Sequence, residues 1–194
     1  MSTRSPSPTR TLFLASSLVA LVGCSSSGSS SGATSSGGGS SGATSTCKTY
    51  DPCTMVAEAD VTAAIGGSVA AGTTTDTSSS AVEVKQCTWA SSATPASRRA
   101  SLLVRCYNGG DNDPAGVRTT LTGLYKNVTD VSGVGDSAIW GSGVIGSSAT
   151  TIDGQLDVFV GKTLYFIVDV GKMPDDPSAL AAAKQIGQAV VPKL

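Results

Sequence analysis

Whatever chemistry this chain performs it performs without histidine, because its 194 residues include none. That removes the commonest general base, the commonest zinc ligand and every Ser-His or Cys-His nucleophile pair. Carboxylates, cysteines and glycine-rich turns remain. Two carboxylates facing each other across a cleft can hydrolyse a glycosidic bond, but Asp175 and Asp176 are adjacent and precede a helical stretch, where the helix dipole favours acids. Asp111-Asn112-Asp113 starts like a calcium loop, with Gly116 in sixth place. Ala115 brings no side-chain oxygen, however, and Thr122 stands where the closing glutamate belongs, so Asp113 reads as a helix cap. Gly133-Val134-Gly135-Asp136 has the backbone freedom to cradle an anion, yet the phosphate fingerprint needs a following helix, and residues 138–140 read as a strand. Trp89, Trp140, Phe159 and Tyr165 are large enough to fill a core or line an apolar pocket. No catalytic residue, metal ligand set or cofactor is assigned, and the chain reads as non-enzymatic. The candidate ligand contacts are Trp89, Trp140, Gly135 and Asp136.

The five cysteines divide by position. Cys24 ends the stretch Leu21-Val22-Gly23-Cys24, which closes an apolar run over residues 12–22 that follows Arg4 and Arg10. A basic start, an apolar run too short to cross a bilayer and small residues before a cut make a secretory signal rather than a membrane helix. Leu-x-Gly-Cys resembles the lipobox of bacterial lipoproteins, whose cysteine is lipidated and becomes the mature N-terminus. The resemblance implies a signal peptide over residues 1–23, acylation such as palmitate on Cys24, and a lipid-anchored location at the bacterial cell membrane or outer membrane, outside the cytoplasm. The other four, Cys47, Cys53, Cys87 and Cys106, are an even number in a chain bound for an oxidising compartment, so two disulfides are expected. Their spacing leaves three connectivities open.

Charge narrows the partners. The chain has 13 Lys and Arg against 14 Asp and Glu, and two of the arginines lie before Cys24, so the remainder carries net charge −3. No basic cluster exceeds the pair Arg98-Arg99, which excludes the positive stripe that nucleic acid requires. Residues 25–46 are almost entirely Ser and Gly, with some Ala and Thr. They cannot bury enough apolar surface to fold, and a coil of that composition and length spans roughly 25 Å. Residues 24–46 are therefore expected to tether a single domain over 47–194.

Within that domain the patterning is mixed. Residues 54–65 predict a helix capped by Asp60 and stopped by Gly66-Gly67, and residues 68–81 predict a loop. Residues 82–89 and 100–107 predict a hairpin, with Cys87 and Trp89 on one face and Val82 and Val84 on the other, and a symmetric register would set Cys87 opposite Cys106. Asp113-Pro114 predicts the start of a helix carrying Val117, Leu121 and Leu124. Glycine recurs too often over 127–147 for a long helix, and only 138–140 suggests a strand. Asp153-Gly154 is a two-residue turn signal, followed by alternation over 155–160 and again over 164–170, the second run predicted to be the sheet centre. Asp176-Pro177 opens a last helix whose stripe of Ala179, Ala183, Ile186 and Val190 should lie on the sheet. The fold class expected is α+β, an antiparallel sheet of hairpin plus C-terminal meander flanked by helices, preceded by signal peptide and disordered linker.

Asp51-Pro52-Cys53 before a helix ending Ala64-Ile65-Gly66, then Cys87-Thr88-Trp89, then Gly133-Val134-Gly135-Asp136-Ser137-Ala138, then a strand pair and terminal helix, resemble in order and spacing a family of small actinobacterial-type lipoproteins. That family carries a domain of uncharacterised function. The resemblance spans most of residues 47–194 and implies a PsbP-like sheet with flanking helices and no established activity. It also implies a Cys53–Cys87 bond, leaving Cys47 for Cys106, whereas a direct Cys87–Cys106 bond with Cys47–Cys53 is the rival. Three functions follow as expectations. The first is a non-catalytic, membrane-anchored domain that binds a partner protein or envelope component. The second is a carrier of a small apolar ligand or lipid in a sheet-helix cavity lined by Trp89 and Trp140. The third is a carboxylate-only hydrolase.

Overall fold

The computed structural model describes residues 50–92 and 98–194. The leader, Cys24, the Ser/Gly stretch and Cys47 lie outside the described residues. In chain order the elements are α1 (Pro52–Met55), α2 (Glu58–Ile65), β1 (Thr73–Asp76), β2 (Val82–Trp89), β3 (Arg99–Tyr107), α3 (Pro114–Leu124), β4 (Tyr125–Val131), β5 (Ser137–Val144), β6 (Ile152–Val160), β7 (Leu164–Met173) and α4 (Asp176–Val190). The seven strands form one sheet in the order β1-β2-β3-β7-β6-β5-β4, with every neighbouring pair antiparallel. The α+β expectation holds.

Strict alternation in β7 explains its place at the centre. Leu164, Phe166, Val168 and Val170 are buried on one face, beneath α4. Burying a side chain of this size contributes about 1.5 to 3 kcal/mol, and Phe166 and Val168 are fully buried. The α4 stripe of Ala179, Ala183, Ile186 and Val190 meets this face as its spacing requires. Asp175 caps α4, accepting from the Ser178 N–H at 2.7 Å. The helices α1 and α2 pack against the same core through Met55, Val61 and Ile65. The two ends of the described chain meet, with the Tyr50 hydroxyl donating to the Leu194 carbonyl at 3.3 Å.

Cys53 bonds Cys87, tying α1 to β2 across 34 positions. This excludes the rival Cys87–Cys106 bond. Cys106 is likewise held in a disulfide, and its expected partner Cys47 lies outside the described residues. The register of the hairpin differs from the symmetric one: pairing continues as far as Trp89↔Ala100, which sets Leu102 opposite Cys87 and Glu83 opposite Cys106. The offset is even, so both cysteines keep the same face.

Several expected elements are corrected. The helix expected over 54–65 is two, α1 capped by Asp51 and α2 preceded by Ala57, with extended Val56 between them. Asp60 sits in the first turn of α2 and does not cap it. Gly66 ends α2 in the left-handed region, as expected. Inside the loop expected over 68–81, β1 forms as an edge strand exposed at all its residues. β4 was not expected, and β5 is longer than residues 138–140. Asp153-Gly154 does not turn the chain and instead lies within β6, at an irregularity of its pairing with β7. A Cβ on Gly154 would fall 2.2 Å from the Trp140 ring, so glycine serves close packing here.

Candidate ligand cleft

Because side chains alternate, the sheet has a second face, and among the described residues α3 is the helix that covers it. Asp113 caps α3 by accepting from the Gly116 N–H at 2.9 Å, with Pro114 in the first turn. Leu121 then anchors the helix on Ile139, Phe159 and Tyr165, the last two stacked with ring centroids 5.1 Å apart. Close approach depends on Gly141 in β5, where a Cβ would lie 2.7 Å from the Tyr125 ring and 3.3 Å from Leu121. The helix runs closest to β4 and β5 and leaves β3, β7 and part of β6 open. Between them lies a cleft of about 470 Å³, within the usual range for small-molecule sites.

One wall is apolar, formed by Val117, Leu121 and Leu124 of α3 with Phe159 and Ile167 of the sheet. The polar end is made by Arg105, Tyr107 and Asn112. The Arg105 guanidinium stacks 6.0 Å from the Tyr107 centroid and 5.7 Å from the Tyr165 centroid, and donates to the Tyr107 hydroxyl at 3.3 Å. Its Nε is buried without a partner. Among the described residues the ion pairs are Lys85–Asp76, Arg99–Asp153 and Arg118–Asp130, so Arg105 joins none. Asn112 donates to the Leu164 carbonyl at 2.8 Å and the Gly161 carbonyl at 3.3 Å, and its buried Oδ1 has no partner. A buried donor and a buried acceptor left unpaired each cost the fold free energy that a ligand can return.

The floor is a hydrogen-bonded chain. The Tyr125 hydroxyl donates to Gln155 Oε1 at 3.2 Å, Gln155 Nε2 donates to both oxygens of Asp157 at 3.1 and 3.0 Å, and the Tyr165 hydroxyl donates to Asp157 as well. Asp157 is 0 % exposed. Burial pushes its carboxyl up to about 6, the bonds from Tyr165 and Gln155 opposing the rise. Burial also raises the Tyr125 hydroxyl to about 12, and that of Tyr165 still further, with the negative charge of Asp157 adding to both. A smaller cleft of about 350 Å³ lies beside Tyr125 on the same face. There Gln86 donates to Ser101 at 3.2 Å and Ser101 to Asp169 at 2.9 Å. Burial raises Asp169 too, against the Ser101 bond and the Arg99 charge.

The residues expected to contact ligand are not brought together. Trp89 and Trp140 are each 1 % exposed within the core of the opposite face. Trp140 donates from its indole to Asp176 at 2.9 Å. Gly135 turns with φ +60°, and a Cβ there would meet Val158 and the Phe159 carbonyl. Asp136 accepts from the Gly161 N–H at 2.7 Å and donates its own N–H to Phe159, clamping the start of β5 to the end of β6. All four serve packing or turn geometry. Of Asp111 and Asp113, the second is the α3 cap. Among the described residues no group of acids or cysteines could hold a metal ion, and no helix is long and apolar enough to cross a membrane.

Arg105, Asn112, Gln155 and Asp157 were missed by sequence reasoning. A signal existed: Gln155, Asp157 and Phe159 alternate with the core residues of β6, as Tyr165, Ile167 and Asp169 do in β7. That register reads as a solvent face unless the apolar stripe of α3 is laid on it.

No family model, curated protein or solved structure matches this chain.

Proposed function

We propose that the chain is a lipid-anchored lipoprotein of a bacterial envelope, held by acylated Cys24, whose folded domain binds an envelope component and does not catalyse. The anchor rests on the Leu21-Val22-Gly23-Cys24 motif behind its basic and apolar leader, and the family resemblance of the Cys53, Cys87 and Gly133–Asp136 motifs agrees with it. The observation that carries the binding role is the α3 cleft, in which Arg105 presents an unpartnered buried donor beside an apolar wall. Against catalysis stands Asp157, the acid of the cleft floor, which is wholly buried with its oxygens engaged by Tyr165 and Gln155.

A second reading is a carrier of a small apolar ligand, with the cleft under α3 as its site. The layer between the sheet and α4 is occupied by Trp89, Trp140 and Phe166, so a carried ligand belongs under α3. The test places a photo-reactive residue in the full chain in intact cells, either at Thr120, exposed on the cleft side of α3, or at Gln185, exposed on α4. Discrete adducts from the Thr120 position alone, in cells where Cys24→Ala releases the chain from the membrane fraction, are the expected result. The same products from both positions, or none from Thr120, would overturn the binding role of the cleft, and a Cys24→Ala chain that stays with the membrane would overturn the anchor.

A further inference from the structure

The occupant of the cleft can be narrowed by following its lining from one end to the other. The register puts Arg105, Tyr165 and Phe159 at one level of the sheet, with Leu103, Ile167 and Asp157 at the next. The polar end therefore lies near Asn112 and the start of α3, and toward Leu124 the helix wall is apolar above a floor that carries Gln155 and Asp157. Beyond Leu124 the apolar surface does not stop. Leu124, Val144 and Ile145 are 51 %, 40 % and 51 % exposed, and they adjoin: Tyr125 pairs with Val144, and the Ile145 N–H donates to the Leu124 carbonyl at 2.9 Å. Among the described residues these are the large hydrophobic side chains left in water. A trough with one apolar wall, a cation at one end and an exposed apolar patch beyond the other matches the polarity of a single-chain amphiphile.

We propose that the α3 cleft holds a single-chain lipid with an anionic head, the head on Arg105 and the acyl tail running under Val117, Leu121 and Leu124 to the lip at Val144 and Ile145. The inference rests on the reading of the cleft as a binding site and names its occupant. Arg105 is the sole cation lining the cleft, and of the two acids there Asp113 is committed to capping α3 and Asp157, which feels the Arg105 charge, is engaged by Tyr165 and Gln155. An anion on the Arg105 guanidinium makes a charge-assisted contact at the end of the cleft that Asn112 also lines. A polar ligand without a tail would leave the α3 wall and the lip wet.

The test uses the chain from residue 25 to 194, oxidised, which contains every residue the structure describes. Dodecanoate and lauroyl lysophosphatidylglycerol are titrated below their micelle concentrations, with dodecanol as tail without charge and butyrate as charge without tail. Saturable one-site binding of at least one of the two long-chain anions is expected, with dodecanol and butyrate each roughly tenfold or more weaker. Which anion binds more tightly identifies a free acid or a phospholipid-derived head. Arg105→Gln should weaken the anion by roughly tenfold or more, as the loss of a charge-assisted hydrogen bond implies. Thr120→Trp, at an exposed helix position where folding is not at stake, should block the trough. Dodecanol binding as tightly as the anions, or an anion indifferent to either substitution, overturns the proposal. If neither anion binds while Thr120 still crosslinks in cells, the lipid assignment fails and the binding site stands; if Thr120 also gives no adduct, both fail.

Discussion

Replacing Asp157 by Asn should make the protein more resistant to unfolding at neutral pH and remove part of its pH dependence. The carboxyl ordinarily titrates at 3.8 and is pushed to about 6 by burial. Between those values the folded chain holds a proton that the unfolded chain has released, so the free energy of unfolding falls as pH rises through the window. Below it the group is neutral in both states and costs nothing; above it the full penalty is present. At about 1.4 kcal/mol per pH unit the penalty reaches about 3 kcal/mol, the carboxyl moving from 3.8 to about 6. Asn carries no such titration. It does turn an amide nitrogen toward Gln155 Nε2, a mismatch costing about 1 kcal/mol at every pH, which cancels from the change with pH. Asp169 is present in both chains, and removing its charged neighbour relieves it in the same direction. The assay is urea unfolding of both chains without reductant, from pH 4 to 7, followed by the fluorescence of Trp89 and Trp140, both buried in the fold. The variant's stability minus the parent's should climb by about 2.4 kcal/mol across that range, since pH 4 already lies inside the window. A flat difference, or one that falls, would refute burial as the dominant influence on Asp157.

Other substitutions separate the parts of the architecture. Replacing Cys53 and Cys87 together by Ala opens a closure spanning 34 positions and should cost about 4 kcal/mol, measured by the same unfolding. Gly141→Ala should cost about 1 to 3 kcal/mol by overpacking, since its Cβ meets Tyr125 and Leu121, whereas Gly123→Ala, with nothing near its Cβ, should leave stability unchanged or raise it by up to about 1 kcal/mol. Equal effects of the two would deny that α3 presses on the sheet. Asp113→Ala removes the α3 cap and should cost about 1 kcal/mol, visible as a lowered urea midpoint.

The parts of the fold readable in advance are those where one local rule acts alone. β7 alternates cleanly, α4 carries a single apolar stripe, and Asp113-Pro114 announces α3, so the spacing of side chains suffices for each. β1 escaped because a strand exposed on both faces has no apolar period; its threonines pair with β2 and bury nothing. Asp153-Gly154 misled because a turn signal and a close-packed strand glycine look alike until the Trp140 ring is in place. The cleft was hidden for a related reason. Arg105, Asn112, Gln155 and Asp157 come from β3, the loop before α3, and β6, and their meeting depends on which strands neighbour β7. The tryptophans drew attention by size, and size is what placed them in the core of the other face.

The Cys53–Cys87 bond has a mechanical meaning. A pull applied at Tyr50 travels only as far as Cys53 before it finds a covalent path into β2 at Cys87. Everything between those cysteines, including α2 and β1, belongs to a closed covalent loop that bears no load. A force applied at Tyr50 would pass straight into the sheet, and a reducing agent would convert the same segment into slack that extends under tension.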